Sequence, residues 1–374
     1  MLQQGKAWGP GASRKFVLLN PGPVNVSDEV RTAMAGPDWC HREGEAFDLI
    51  DEVRARLLSC LGLDRSFSAV LLGGSGTAAV EAMITSFVPE GKKLVVVRNG
   101  VYGDRIAQMA AVHGISTLEI SCAWFERPDL GAVERSLSDP DVGAIALVHH
   151  ETTTGLLNDV AAVGALAHSR DVRFLVDTVS GMGGEELDLV RWHVDAAACA
   201  ANKCLQGMPG ASFVVARRAL LEEGAAAPVR TVYLNLPLYH RKQETRDTLF
   251  TPPLQVIMAL RQALTELCAE TIAGRIARYR ALALRFRSGF ESMGLHLLVP
   301  ALLRSNTITA LQTPAGVTYD QIHDALKEAG FIIYAGQNSL RHRMFRVANM
   351  GNIAPDDVER CLRVFRYTLG HCDE

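Results

Sequence analysis

The run Ala200-Ala201-Asn202-Lys203-Cys204-Leu205-Gln206-Gly207 decides how the rest of this sequence is read. It stands between two apolar stretches, Asp195-Ala196-Ala197-Ala198-Cys199 and Ser212-Phe213-Val214-Val215, each the length of a buried strand. Burying an unpaired ammonium is expensive, so a lysine between two such strands is poorly placed to be a solvated surface charge. Lys203 is therefore a candidate Schiff-base lysine, although an isolated lysine is most often a surface group.

Upstream, Arg173-Phe174-Leu175-Val176-Asp177 reads as another buried strand, ending in a carboxylate. Open α/β sheets bind ligands at the carboxyl ends of their strands, while strand-end aspartates just as often cap a turn. Taken as a pair, Lys203 and Asp177 are the two fixed groups that a pyridoxal phosphate site requires: an imine-forming amine and a carboxylate for the pyridine nitrogen. A third signal lies earlier, where the strand Ser68-Ala69-Val70-Leu71-Leu72 runs into Gly73-Gly74-Ser75-Gly76-Thr77-Ala78-Ala79-Val80. A glycine turn at a helix start offers free amides, the helix dipole and the hydroxyls of Ser75 and Thr77 to an anion. A dinucleotide site is the rival, but the spacing is not a full GxGxxG, and the next strand, Leu94-Val95-Val96-Val97, ends in Arg98 rather than an acid. One terminal phosphate fits better than a pyrophosphate.

Composition narrows the class. The 374 residues suit one large domain with a smaller one. Hydrophobic residues at 48% and charged residues at 21% are ordinary for a globular chain, and a net charge of -3 supplies no basic field, so no nucleic-acid partner is expected and any anion site must be local. The eight cysteines form no CxxC pair, which argues against a zinc site or a disulfide framework; no metal is expected. Reduced thiols, the absence of an apolar stretch between Lys6 and Arg14, and the lack of any run of about 18 apolar residues lead to the expectation of a soluble, cytoplasmic protein without a membrane partner.

In chain order, residues 1–17 read as an N-terminal arm, 18–265 as the large domain and 266–374 as a small C-terminal domain. Leu18-Leu19-Asn20-Pro21-Gly22-Pro23 predicts a rigid turn, and Ser27-Asp28-Glu29 a helix start. Helical spacing marks residues 46–61, 160–169, 254–264, 274–293 and 319–329, and further strands are expected near 117–120, 144–148, 307–311 and 344–347. Strands alternating with helices predict a largely parallel sheet with right-handed crossovers. The loops after its strands would bring Ser75, Tyr102, Thr152, Asp177 and Lys203 together.

Several stretches resemble the class V, fold-type I aminotransferases, and specifically their phosphonate branch: Leu19-Asn20-Pro21-Gly22-Pro23, Cys40-His41-Arg42-Glu43, Gly74-Ser75-Gly76-Thr77, Asn99-Gly100-Val101-Tyr102-Gly103, Ala201-Asn202-Lys203-Cys204-Leu205-Gln206-Gly207-Met208-Pro209-Gly210 and Phe345-Arg346. The resemblance implies an α/β fold with a mostly parallel seven-stranded-type sheet in the large domain and a small α+β domain. It implies pyridoxal 5'-phosphate as cofactor, with Lys203 as the covalent attachment point and Asp177 at the pyridine nitrogen. It assigns Ser75, Gly76, Thr77 and Asn202 to the phosphate, Tyr102 to stacking on the ring, Thr152 to the ring oxygen and Val179 to an apolar contact beneath it. Thr251 would complete the phosphate site of the other subunit of a homodimer with shared active sites. Asn20, Gly22 and Arg346 would meet the substrate, Arg346 holding its acidic group, with Arg341 and Arg343 as possible helpers.

The activity so implied moves the amino group of 2-aminoethylphosphonate, or a close aminophosphonate, to pyruvate, a 2-oxo acid, giving phosphonoacetaldehyde and alanine. The rivals are another class V transaminase of alanine- or serine-glyoxylate type, and a non-catalytic nucleotide-binding protein. The chain departs from the family pattern at Val347-Ala348-Asn349-Met350-Gly351, at Ala335-Gly336-Gln337 and along Tyr233 to Thr245. These departures bear on substrate identity more than on cofactor chemistry.

Overall fold

Seven strands build the main sheet: β1 (Phe67–Gly73), β2 (Lys93–Arg98), β3 (Thr117–Ser121), β4 (Val142–Val148), β5 (Arg173–Asp177), β6 (Ala196–Ala200) and β7 (Ala211–Arg217). Their spatial order is β1-β7-β6-β5-β4-β2-β3. The run β6-β5-β4-β2-β3 is parallel throughout, whereas β7 lies antiparallel to both β1 and β6. Because β6 and β7 form a hairpin with Ser212 opposite Ala200, the Lys203 loop is placed at the same sheet edge as the ends of the parallel strands. The computed structural model describes residues 16–224 and 229–370, so residues 1–15 of the expected arm lie outside the described residues.

The central strands are apolar almost without interruption because helices cover both faces. Alternate residues separate cleanly: Val70, Val96, Ala146, Leu175 and Ala198 pack with Met83, Ile84 and Phe87 of the helix Gly76–Phe87. Leu71, Val97, Ile145, Val176 and Cys199 face the helices Gly44–Cys60 and Leu254–Glu270 through Val53, Leu57, Ile257 and Leu264. The outer edge of β1 is not left open. Gln243 brackets Leu71, donating to its carbonyl at 2.8 Å and accepting from its N–H at 3.2 Å. Its helix, Leu236–Glu244, lies in the unfamiliar stretch and escapes sequence periodicity because its buried face includes His240 and Gln243. The helices Leu130–Leu137 and Pro355–Thr368 also go beyond the sequence reading.

In the small unit, Met344–Ala348 lies between Ile308–Gln312 and Tyr334–Ala335 in an antiparallel sheet. Phe286, Phe290, Phe345 and Phe365 form its core. Val17–Leu18 pairs in parallel with Phe331–Ile332, and Leu19 is buried in that same core. The two longest helices of this region, Leu254–Glu270 and Ile272–Ser292, meet at Thr271, which has φ 68° and caps the second helix through its side chain. We propose Thr271 as the boundary between the two units, a few residues beyond the expected 265, with residues 16–19 counted in the smaller one. No helix among the described residues is long and apolar enough to cross a membrane.

Candidate active site

Loops leaving the carboxyl ends of β1, β2, β4, β5 and β6 converge on one cavity. Of the residues expected at the site, Gly76, Thr77, Tyr102, Thr152, Asp177, Val179 and Lys203 line it.

Lys203 hangs from the hairpin loop and donates from Nζ to the carbonyl of Pro21. The predicted turn is pressed against its stem: Gly22 has φ 103°, and a Cβ there would stand 2.5 Å from Nζ. Burial pushes the lysine pKa down, opposed by Cys204 and Asp177 and reinforced by Arg346 and Arg105. Asp177 is 7% exposed and accepts from the Val179 N–H at 2.9 Å. Burial raises its carboxyl to about 6, with Arg105 and Lys203 pulling in the other direction. Burial thus disfavours the charged form of both groups.

The glycine turn opens the helix Gly76–Phe87, whose first amides have no intrahelical partner. Gly76 is required by proximity, since a Cβ there would lie 2.6 Å from Cγ1 of Val179. Ser75 is the exposed N-cap and makes no side-chain capping bond. Tyr102 starts the helix Val101–Val112 and donates its N–H to Oε2 of Glu151 at 3.2 Å. The other Glu151 oxygen accepts from the N–H (3.1 Å) and hydroxyl (2.6 Å) of Thr153. This fully buried carboxyl, raised by burial to about 7, ties the Tyr102 helix to the Thr152 loop.

Arg346 enters from the small unit. Strand alternation sends Phe345 into the small core and turns Arg346 toward Thr152. Its Nη1 donates to the Thr152 carbonyl at 2.9 Å, while Nη2 (2.7 Å) and Nε (3.2 Å) share the Ala335 carbonyl. Arg341 and Arg343 are exposed and make no such contact with the Thr152 loop. Asn20 is buried and donates to the Pro23 carbonyl at 3.0 Å, which braces the turn behind Lys203. Asn202 does not line the cavity. Nor does Thr251, an exposed residue beside a neighbouring cavity shared with Gly73, Tyr233 and Phe250.

Of the polar residues lining the cavity, Arg105, His150 and Ser180 were not among those expected. Arg105 follows Tyr102 at helical spacing, and His150 follows β4 directly, so both positions were open to a strand-end argument. His150 Nδ1 faces the Ser180 carbonyl at 3.3 Å, while its buried Nε2 has no partner among the described residues. Burial lowers this imidazole to about 4, so it is a neutral ring with an unused acceptor. An unpartnered acceptor, a buried carboxylate, an amine and a helix N-terminus around one cavity form the donor and acceptor set of a flat, phosphorylated heterocycle bearing a carbonyl. The site fits pyridoxal phosphate.

Comparison with known proteins agrees with this geometry. The aminotransferase class-V family matches residues 32–363. The chain is 36% identical over 354 residues to the 2-aminoethylphosphonate–pyruvate transaminase of Syntrophobacter fumaroxidans, covering 93% of this chain and 95% of that protein. Against the transaminase of the same name from Salmonella schwarzengrund the identity is 36% over 365 residues, with 96% and 98% covered. Among solved structures, alanine–glyoxylate aminotransferase from Nostoc sp. superposes with a TM-score of 0.91 at 28% identity, covering 97% of this chain and 98% of that one. Aspartate aminotransferase from Thermus thermophilus gives 0.87 at 26%, with 95% and 99% covered. With a family match over most of its length and a lysine, a carboxylate and a glycine turn meeting at one cavity, this chain belongs to the class V aminotransferases, and its cofactor is pyridoxal phosphate.

Proposed function

We propose that this enzyme transfers the amino group of 2-aminoethylphosphonate, or a close aminophosphonate, to pyruvate. The observation that carries the reading is the state of Arg346. Three of its N–H donors are spent on two carbonyls, which leaves one N–H on each terminal nitrogen without a partner among the described residues. Such a pair matches two oxygens of one phosphonate or carboxylate, and a guanidinium keeps its charge even where burial lowers its pKa, as it does here. The names and similarity of the two bacterial relatives favour a phosphonate donor over the glyoxylate-type transaminases, and the missing acidic residue after Leu94-Val95-Val96-Val97 weighs against nucleotide binding.

When bound, pyridoxal phosphate supplies an electron sink and carries the amino group between substrates. The residues of the chain do the rest. Asp177, buried and braced by the Val179 N–H, holds a proton on the ring nitrogen through its negative charge. Lys203, with a pKa lowered by burial, is the base that takes a proton from the substrate carbon and returns it on the cofactor side. Thr77, Gly76, Ser75 and Asn202 are assigned to the phosphate, Tyr102 to the ring face, Thr152 to the ring oxygen and Val179 to the opposite face. Arg346 fixes the acid group, with Asn20 and Gly22 shaping the wall through which the amine reaches Lys203.

We also assign Thr251 to the partner subunit's phosphate site in a homodimer. Thr251 adjoins exposed aromatic residues, Tyr233 at 45% and Phe250 at 36%, and such a patch suits a self-complementary contact. Mixing a Lys203→Ala chain with a Thr251→Ala chain should then restore part of the activity through hybrid dimers.

The donor assignment is tested by rapid mixing of the holoenzyme with aminoethylphosphonate, alanine, serine and an alkylamine lacking an acid group, following the visible band. The expected result is fastest conversion with aminoethylphosphonate and, after pyruvate is added, formation of alanine. Preference for serine, or equal reaction with the acid-free amine, would remove the phosphonate assignment and leave the aminotransferase intact.

A further inference from the structure

Two guanidinium groups belong to the site, and only one is committed. Arg346 is held by three hydrogen bonds to carbonyls. Arg105 lines the cavity, lies 4.8 Å from the centroid of the Tyr102 ring, and its one hydrogen-bond partner among the described residues is the Thr77 hydroxyl, 3.3 Å from Nη1. No carboxylate of the described residues forms an ion pair with it, although Asp177 and Lys203 both feel its charge. A half-buried guanidinium stacked on an aromatic ring and left with most of its donors unpaired is an unbalanced charge.

Where that charge is directed matters more than its presence. Thr77 is in the first turn of the helix Gly76–Phe87, so the hydroxyl that Arg105 meets stands beside the free amides of that helix start. The helices carrying Thr77 and Arg105 follow strands that are far apart in the sheet, yet they pack side by side, which brings a full positive charge close to a helix N-terminus. Asp177 attracts this charge from a distance but forms no ion pair with it.

We propose that Arg105 is an anchor of the cofactor phosphate, supplying in this chain the full positive charge that the glycine turn lacks. The proposal rests on the pyridoxal phosphate reading above and adds a specific contact to it. It also accounts for the Tyr102 arrangement: a guanidinium packed on that ring fixes the ring plane while its donors reach past it to the phosphate.

The test compares two vitamers that differ only in the phosphate. Apo-protein is titrated with pyridoxal phosphate and with unphosphorylated pyridoxal, and dissociation constants are read from the visible band and from quenching of protein fluorescence. Arg105→Gln is expected to weaken pyridoxal phosphate about ten- to a hundredfold, the effect of losing a charge-assisted bond, and to change pyridoxal by less than about twofold on the same scale. Arg105→Lys should recover much of the loss, because it keeps the charge but not the fork. Unchanged melting temperatures of the apo variants would establish that the fold is intact. Equal weakening of both vitamers would place Arg105 at the ring or at Asp177 and overturn the proposal, as would an unchanged affinity for pyridoxal phosphate. Wild-type protein that bound neither vitamer would refute the cofactor reading itself, an outcome distinct from both.

Discussion

Lys203 is half-buried and Arg346 fully buried, and the two basic side chains are held in opposite ways. Lys203 has a single carbonyl contact, to Pro21, and projects into a cavity. Arg346 is 2% exposed and fastened through three of its donors. Light tethering suits a group that must give up its proton and move, and heavy tethering suits a group that must keep both its charge and its direction. An ammonium on a flexible stem and a planar fork are matched to those two tasks.

Removing the mobile cation should have the largest effect. Lys203→Ala is expected to lower turnover by roughly a thousandfold or more, as loss of a general base and covalent anchor together does, while some cofactor stays bound through its phosphate. Borohydride reduction of the wild type followed by peptide mapping should label Lys203, and a label on another lysine would break the comparison at its root. Asp177→Asn comes next. The half-reaction should slow by roughly ten- to a hundredfold, corresponding to the approximately 1.5–3 kcal/mol of a charged hydrogen bond, with cofactor retained; wild-type rates would make Asp177 structural. Arg346→Lys sharpens the contrast from the other side. It keeps the charge and loses the fork, so the donor KM should rise about tenfold with a smaller change in kcat, and the visible band should be unaffected.

The smallest effect concerns the seam between the two units. Glu185 is buried, accepts from the backbone N–H (2.6 Å) and side-chain amide (2.7 Å) of Asn306, and is raised by burial to about 8. A carboxyl whose folded pKa lies above its unfolded value of about 4.5 binds its proton more tightly in the folded state. Its contribution is greatest below pH 4.5 and declines as pH climbs toward 8. Glu185→Gln should remove that decline, so that melting temperatures of variant and wild type diverge by a few degrees between pH 5 and pH 8 (~2–4 °C for a chain of this size). Parallel pH curves would count against a proton on Glu185.

How much of this was readable from the residues alone follows the same division. The strands at 68–72, 94–97, 144–148 and 173–177 announce themselves because both faces are covered, which leaves little room for polar residues. Tyr102, Thr152, Asp177 and Lys203 each stand at or within a few residues of a strand's carboxyl end, which left them few places to go. Contacts made by backbone left no such trace. Nothing in the side chain of Ala335 reveals that its carbonyl accepts twice from Arg346, and nothing in Gln243 reveals that it closes the edge of β1. Arg105 and His150 were hidden for another reason: a cavity-facing residue and a surface residue look alike until neighbouring strand ends are set side by side.

The segment from Val17 to Pro23 is a lever. At one end it is stitched into the small unit, with Val17–Leu18 alongside Phe331–Ile332, the Leu19 N–H on the Ile332 carbonyl at 2.8 Å, and the Leu19 carbonyl receiving the Ala348 N–H at 2.8 Å. At the other end, two residues further on, the Pro21 carbonyl holds Nζ of Lys203. Arg346 belongs to the strand Met344–Ala348, into which the lever is fastened. A rotation of the small unit about Thr271 would therefore shift the substrate's acid grip and the lysine's tether in one stroke, so that seating the acid and freeing the amine become a single mechanical event.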